Sequence, residues 1–442
     1  MTDVSEKRGL RRDVRAAIRL AVQSGLPIWD AITPTDLWRV ERPTGNGGSE
    51  ILLESRKGGK AFVEMSHALE GQPEFVAARS LVLEVQPELS GWIGSAHHGR
   101  ALDFGNVVAH LIARMQGACD DRPGDTLDGL LDELDTLLRT RSVGFSVVEP
   151  LQGVHVEPFS EELALGAGIV LRCLSDAEVE GFLSHDATVE GMAPLFGGLL
   201  VALEARFEAP LLLDVREMGT APRSDALADA LGALDSALCA LHCFKAGSAG
   251  VVFQAIRSRQ RALPGLDGTR LLPPLSSLAT HYTLEHAELD DLERFAQHFF
   301  ASQLPELRLA ASRLRDAELR PWPRDAIVDA FVGIEALLNP SGAGELSFRI
   351  AMNYATLGLD DDSYTRYRRL RDLYKVRSKI VHGAKEADKY LVDGAYLAQG
   401  EIASKAKAVL RDVIKHIVGS PDLKDLNSLD DEVWEARYFP GT

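Results

Sequence analysis

The chain has 442 residues, of which 45% are hydrophobic and 26% are charged, a balance typical of folded proteins with a sizeable core. Its formal net charge of −17 argues against nonspecific coating of nucleic acid, although a local basic face still attracts a polyanion. Four scattered cysteines, the lack of a secretory apolar segment and the lack of a run of about 20 apolar residues predict a cytoplasmic protein without disulfides or membrane spans.

Residues 1–140 are predicted to form a mixed helical domain. Leu10, Val14 and Ile18 recur at helical spacing among arginines, which indicates an amphipathic surface helix rather than a membrane or nucleic-acid anchor. A Gly-rich turn at 42–48 lacks the pattern of a phosphate loop or a dinucleotide site. Further helices are expected at about 104–115 and 127–137. No motif in this region carries chemistry.

Residues 141–261 are predicted to form an α+β domain. The alternation of apolar and charged residues from Val201 to Glu208 is typical of a strand with one buried face, and more strands are expected at 143–148, 168–173 and 251–256. A leucine-rich helix precedes the last of these and carries Cys239, His242 and Cys243 near its end. We interpret these three as buried core residues rather than a zinc site, because no second ligand pair is evident.

A Pro/Gly-rich connector at 262–277 separates this domain from a purely helical region at 278–420, followed by an acidic C-terminal arm at 421–442. Short connections between the helices predict an antiparallel bundle. The predicted fold class is therefore α+β, with a mixed N-terminal α/β region and a C-terminal all-α antiparallel bundle.

A strongly basic helix is expected within that bundle. Residues 363–379 hold seven basic residues and one acid, a net charge of +6 in a chain of −17. Arg377 falls on the apolar stripe of this helix, so its guanidinium needs a partner, and Glu335 is the best internal candidate. His382 lies about 140° around the helix from Arg377. Gly383 is predicted to end the helix, so the two converge only at that end or across two copies of the chain.

Three blocks in this region resemble the Apea-like branch of the HEPN ribonuclease superfamily. They are DAFVGIEALL from Asp329, ELSFRI from Glu345 and LYKVRSKIVHG from Leu373, the last of which contains an Arg-x4-His motif at Arg377 and His382. The resemblance implies a helical bundle that pairs with a second copy, so that both arginines and both histidines line one cleft. Ser378 stands where the family often has Asn, Asp or His.

The function that this resemblance implies is metal-independent endoribonuclease activity in bacterial antiviral or abortive-infection defence. The ribose 2′-hydroxyl attacks its own phosphate, histidine transfers protons near its usual pKa, and arginine holds the phosphate. Ser378 and Glu335 are the expected supporting residues. Four basic residues are expected to contact RNA, with tRNA as one candidate: Arg366, Arg369, Lys375 and Lys379. We expect no metal, no cofactor and no membrane partner, and a phage-derived or protein trigger at the N-terminal region.

Two alternatives remain from the sequence. The first is a non-catalytic HEPN dimer that binds RNA or a protein partner. The second is a HEPN toxin controlled by nucleotidyl modification of a tyrosine close after the histidine, and Gly383, Ala384 and Lys385 at those positions count against it.

Overall fold

The structure is a computed structural model that describes residues 9–31, 37–43, 49–55, 65–94, 99–116, 125–157, 159, 161–175, 178–179, 201–213, 225–251, 253–263, 268–272, 281–339, 346–357, 362–383 and 389–420. The helices are α1 Arg12–Ala31, α2 Pro73–Val85, α3 Phe104–Met115, α4 Leu127–Thr140, α5 Ala226–Phe244, α6 Leu289–Ala301, α7 Pro305–Leu319, α8 Pro323–Leu338, α9 Leu346–Thr356, α10 Ser363–Val381 and α11 Gln399–Val418.

The strands follow in the same chain order. They are β1 Leu37–Pro43, β2 Ser49–Ser55, β3 Trp92–Gly94, β4 Gly99–Ala101, β5 Ser142–Gln152, β6 Val154–Val156, β7 Leu163–Gly166, β8 Ile169–Cys173, β9 Val201–Pro210, β10 Gly250–Val251, β11 Phe253–Ser258, β12 Gly268–Leu271, β13 Tyr282–Leu284, β14 Lys389–Val392 and β15 Ala395–Ala398. The α+β class predicted from the sequence is confirmed.

One antiparallel sheet forms the centre of the molecule. Its strand order is β12-β11-β5-β9-β8-β7, and β10 pairs with β5. The long strand β5 pairs with β9 from Ser142 opposite Pro210 to Pro150 opposite Ala202. Both faces of β5 are buried, which explains why its sequence is apolar rather than alternating.

Two hydrophobic cores meet at this sheet. The N-terminal core joins buried residues of α1 to α4 with Val143 and Phe145 at the start of β5. The central core joins the rest of β5, including Val147 and Leu151, with β7 to β9 and helices α5 to α11. The sheet and the C-terminal helices therefore share one continuous core.

Helix α1 is held by an acidic neighbour. Its Arg15 pairs with Asp128 and Asp132 of α4, and Arg19 also pairs with Asp128. The basic N-terminal helix predicted from the sequence is therefore present, and its charges are partly neutralised by another helix.

Helix α5 is long and apolar enough to cross a membrane by length and composition. It packs against β9, α6 and α7, and its buried residues include Leu234, Cys239 and His242. Its apolar character is therefore that of a helix in the central core.

The C-terminal region is not purely helical, which corrects the prediction of an all-α bundle. A hairpin of β14 and β15 separates α10 from α11, with Asp393 and Gly394 at its turn. Both turn residues have positive φ, 54° and 79°, as the favoured two-residue hairpin turn requires. The predicted connector at 262–277 likewise contains a strand, β12.

Several sequence predictions lie outside the described residues. These are residues 44–48 of the Gly-rich turn, the first residue of the ELSFRI block, Glu345, and the acidic arm at 421–442.

Candidate active site

The basic helix α10 has defined signals at both ends. At the start, the Asp362 side chain accepts hydrogen bonds from the backbone N–H groups of Tyr364 and Thr365, both at 3.0 Å. At the end, the His382 N–H donates to the Ser378 carbonyl at 3.0 Å, and Gly383 adopts a left-handed φ of 68°. The predicted termination at Gly383 is confirmed.

Arg377 pairs with Glu335 of the neighbouring helix α8. The Arg377 Nη2 and Glu335 Oε1 atoms are 3.1 Å apart, and the two side chains are 19% and 22% exposed. The guanidinium also lies 5.7 Å from the centre of the Tyr374 ring, which packs edge-on against Phe331. Glu335 is therefore the partner of Arg377, as the sequence predicts.

This pair is poorly solvated. Burial raises the pKa of Glu335, and the charge of Arg377 opposes that rise only in part. The Arg377 Nε atom is buried, and among the described residues it has no hydrogen-bond partner. The arginine therefore keeps one N–H donor that Glu335 does not use.

His382 lies at the solvent-exposed end of α10. Ser378 is partly buried one turn before it and supplies the carbonyl that caps the helix. The hydrogen bonds and ion pairs of the described residues connect Arg377 to α8 and do not connect it to His382. One copy of the chain therefore presents the two residues on different sides of the helix, as the helical geometry predicts.

Two of the four residues predicted to contact RNA do not face solvent freely. Arg366 is 4% exposed, and its Nη2 donates to the Ala355 carbonyl of α9 at 2.8 Å. Its side chain holds α9 against α10, so its assignment to an RNA surface is corrected. Arg369 is 23% exposed and pairs with Asp393 in the hairpin turn at 3.1 Å.

The other two, Lys375 and Lys379, are exposed. Lys375 is 60% exposed and lies 3.1 Å from Asp372, whereas Lys379 lies 6.0 Å from the centre of the Tyr390 ring. Surface pairs of this kind are weak, so a phosphate competes with them readily.

Arg368 and Arg371 were not predicted to contact RNA, although both lie on the same side of α10 as Lys375 and Lys379. Arg368 lies 5.9 Å from the ring centre of Tyr364, and Arg371 lies 5.5 Å from that of Tyr367. At 100° per residue, these arginines fall with Lys375, Lys379 and His382 within about 80° of the helix circumference. We call Arg368, Arg371, Lys375 and Lys379 the basic stripe. Plotting every basic residue on the helical wheel reveals it from the sequence.

Other titratable groups are buried in the central core. Burial raises the pKa of the Cys239 thiol to about 12 and lowers that of His242 to about 4. The His242 ring nitrogens lie 3.0 Å and 2.9 Å from the carbonyl oxygens of Gly247 and Ala249. These contacts occupy the ring nitrogens, which agrees with the interpretation of this trio as core residues.

Two carboxylates are also buried near the sheet. Glu318 of α7 pairs with Lys407 and Arg411 of α11, and the Arg411 Nε donates to the His242 carbonyl at 3.0 Å. Glu149 of β5 is 4% exposed and accepts a hydrogen bond from Gln254 at 2.6 Å. Burial raises the pKa of Glu149 to about 7. Both carboxylates are too enclosed to meet a polymeric substrate.

No three His, Cys, Asp or Glu side chains in the described part of the chain are grouped as ligands for a metal ion. The site that the structure offers is therefore the end of α10, with Arg377 beside Glu335 and the basic stripe leading to His382. No family model matches the chain, and no curated protein or solved structure matches it either.

Proposed function

We propose that the chain is a metal-independent endoribonuclease of the HEPN class that acts in bacterial antiviral or abortive-infection defence. One observation carries the proposal: a basic helix ends at an exposed histidine, and one turn earlier an arginine is held half-buried beside a carboxylate. The defence role and the sensing role of the N-terminal region come from the family resemblance.

In this proposal His382 transfers the protons. It removes the proton from the ribose 2′-hydroxyl, which attacks the neighbouring phosphate, and the leaving 5′-oxygen is protonated in turn. Arg377 stabilises the negative charge on the phosphate in the transition state. Glu335 orients the guanidinium, and Ser378 fixes the helix end that carries His382.

The cleft needs two chains. Arg377 and His382 lie on different sides of α10 within one copy, so a twofold partner has to bring a second arginine and a second histidine to complete the site. A homodimer through the C-terminal helices is therefore part of the proposal.

RNA would approach along the basic stripe. Arg368 and Arg371 join Lys375 and Lys379 as the phosphate-binding residues of the proposal, in place of the buried Arg366 and of Arg369, which pairs with Asp393. The exposed ring of Tyr364, 67% accessible, offers a surface on which a base can stack.

A non-catalytic dimer that binds RNA or a protein is the second candidate. One observation favours it: Glu335 already neutralises Arg377, and a phosphate would have to compete with that ion pair. The two candidates make opposite predictions for cleavage.

The test is cleavage of tRNA and total RNA in EDTA by the wild-type chain, Arg377→Ala and His382→Ala. Arg294→Ala and His298→Ala are matched controls, because both side chains are exposed on α6. We expect cleavage that resists EDTA and is lost in both site variants but not in the controls. Mixing the two inactive variants should restore part of the activity, because a mixed dimer keeps one arginine and one histidine in its cleft.

Intact RNA in every reaction, with RNA binding the same in wild type and variants, would support the non-catalytic alternative. A chain that is monomeric in ultracentrifugation and still cleaves RNA would refute the shared cleft.

A further inference from the structure

Two exposed histidines face each other far along the chain from α10. His155 of β6 and His281, directly before β13, have their Nε2 and Nδ1 atoms 3.0 Å apart. Their ring centres are 4.5 Å apart, with 69° between the ring planes. The proposed nuclease chemistry uses neither residue.

The backbone holds this pair rigidly. Strands β6 and β13 run parallel, with Thr283 opposite His155. Side chains alternate across a strand, and the neighbours of the two histidines point inward. The buried neighbours are Val154, Val156, Tyr282 and Leu284.

Tyr282 fixes the second strand at two further points. Its N–H donates to the Gly153 carbonyl at 2.8 Å, and its hydroxyl donates to the Leu241 carbonyl of α5 at 2.9 Å. Both imidazoles are therefore presented to solvent by strands that are anchored in the central core.

Their separation suits a metal ion. Imidazole nitrogens bind copper, nickel and zinc, and a typical metal–nitrogen distance is about 2.0–2.1 Å. At that distance, nitrogens 3.0 Å apart subtend an angle of about 95° at the metal. This angle lies between the right angle of a square-planar ion and the tetrahedral angle of zinc.

We propose that His155 and His281 form a two-histidine site for a divalent copper, nickel or zinc ion. In the metal-free pair, one imidazole donates a hydrogen bond to the other. On binding, that proton moves to the far nitrogen of its ring, so His155 Nε2 and His281 Nδ1 both offer lone pairs. Two neutral histidines then bind the ion without net release of a proton.

The site is an open one. In the described ranges, no third His, Cys, Asp or Glu joins the pair, so water fills the remaining positions of the ion. Magnesium and calcium, which take oxygen ligands, are excluded. The bound ion would link β6 of the sheet region to β13, the strand that leads into the C-terminal helices. It would therefore stabilise the folded chain, because the unfolded chain does not hold the two histidines together.

The test is calorimetric titration of the full chain with NiCl₂, CuCl₂, ZnCl₂ and MgCl₂ at pH 7.5. The variants are His155→Ala, His281→Ala and the exposed control His298→Ala, with thermal melts of each in EDTA to show that they fold. We expect one ion per chain, affinity at least about tenfold weaker in either site variant, and no heat with magnesium. The metal should also raise the melting temperature of wild type and control only.

Equal affinity in wild type and both site variants would overturn the proposal. This result is independent of RNA cleavage. RNA cleavage in EDTA without metal binding would support the nuclease proposal alone. Metal binding without RNA cleavage would support the metal site alone.

Discussion

The buried carboxyl of Glu149 makes the stability of this protein depend on pH in a direction opposite to that of most carboxylates. Glu149 is 4% exposed on β5, and one hydrogen bond from Gln254 does not offset its burial, so its pKa rises to about 7. The raised value means that the folded state keeps a proton which the unfolded chain releases above about pH 4.5. Stability is therefore fully present below that pH and is lost as pH rises towards 7.

A rise of about 2.5 pKa units corresponds to about 3 kcal/mol. Glu149→Gln keeps an acceptor for Gln254 but cannot ionise. The free energy of unfolding of this variant should match that of wild type near pH 4.5 and exceed it by up to about 3 kcal/mol at pH 8. Urea unfolding at four pH values between 4.5 and 8 measures the difference, and Glu149→Leu should show the same trend. A difference that does not change with pH would refute the reasoning.

Three further predictions concern the fold and the basic helix. Glu318→Gln removes the carboxylate that neutralises Arg411 and Lys407, so thermal melts should show a loss of about 3–5 kcal/mol in the free energy of unfolding. Asp291→Asn, which breaks an exposed pair, should cost less than about 1 kcal/mol. Gly247 has a φ of 147°, and Gly247→Ala places a Cβ 2.6 Å from the Tyr282 Cα atom, so this variant should lower the free energy of unfolding by more than about 2 kcal/mol. Gly232→Ala, in open space on α5, should raise it by about 0.5–1 kcal/mol. Arg366→Met should lower the free energy of unfolding by about 1–3 kcal/mol without changing RNA affinity. Lys375→Ala should weaken RNA binding without changing stability, and it should reduce the slope of log affinity against log salt by about 0.7. Equal RNA affinity loss in both variants would contradict the basic stripe.

Sequence periodicity predicted the long elements well because burial and local pattern agree there. Helix α3 has the bounds expected from its apolar spacing, and the strand expected from Val201 runs to Pro210. The hairpin at 389–398 was missed although Asp393-Gly394 between alternating residues is a strong turn signal. The surrounding helices had favoured a uniform helical interpretation.

The candidate site shows a different limit of prediction from sequence. The pairing of Arg377 was predictable, because a guanidinium on an apolar stripe needs an acid and Glu335 lies on an otherwise apolar face of a neighbouring helix. The error at Arg366 arose because the charge of a segment was counted without the direction of each side chain. Burial of Arg366 depends on the Ala355 carbonyl of α9, a contact that no local pattern encodes.

Strand β5 contributes side chains to both hydrophobic cores, and this has a practical consequence for dissecting the protein. Expressing residues 278–420 alone would leave the apolar side of α6 without β7 and α5, and that of α7 without α5. Removing the first 140 residues would expose Val143 and Phe145 of β5 to solvent. Neither fragment should fold on its own, so the roles of the two halves are better separated by point substitutions than by truncation.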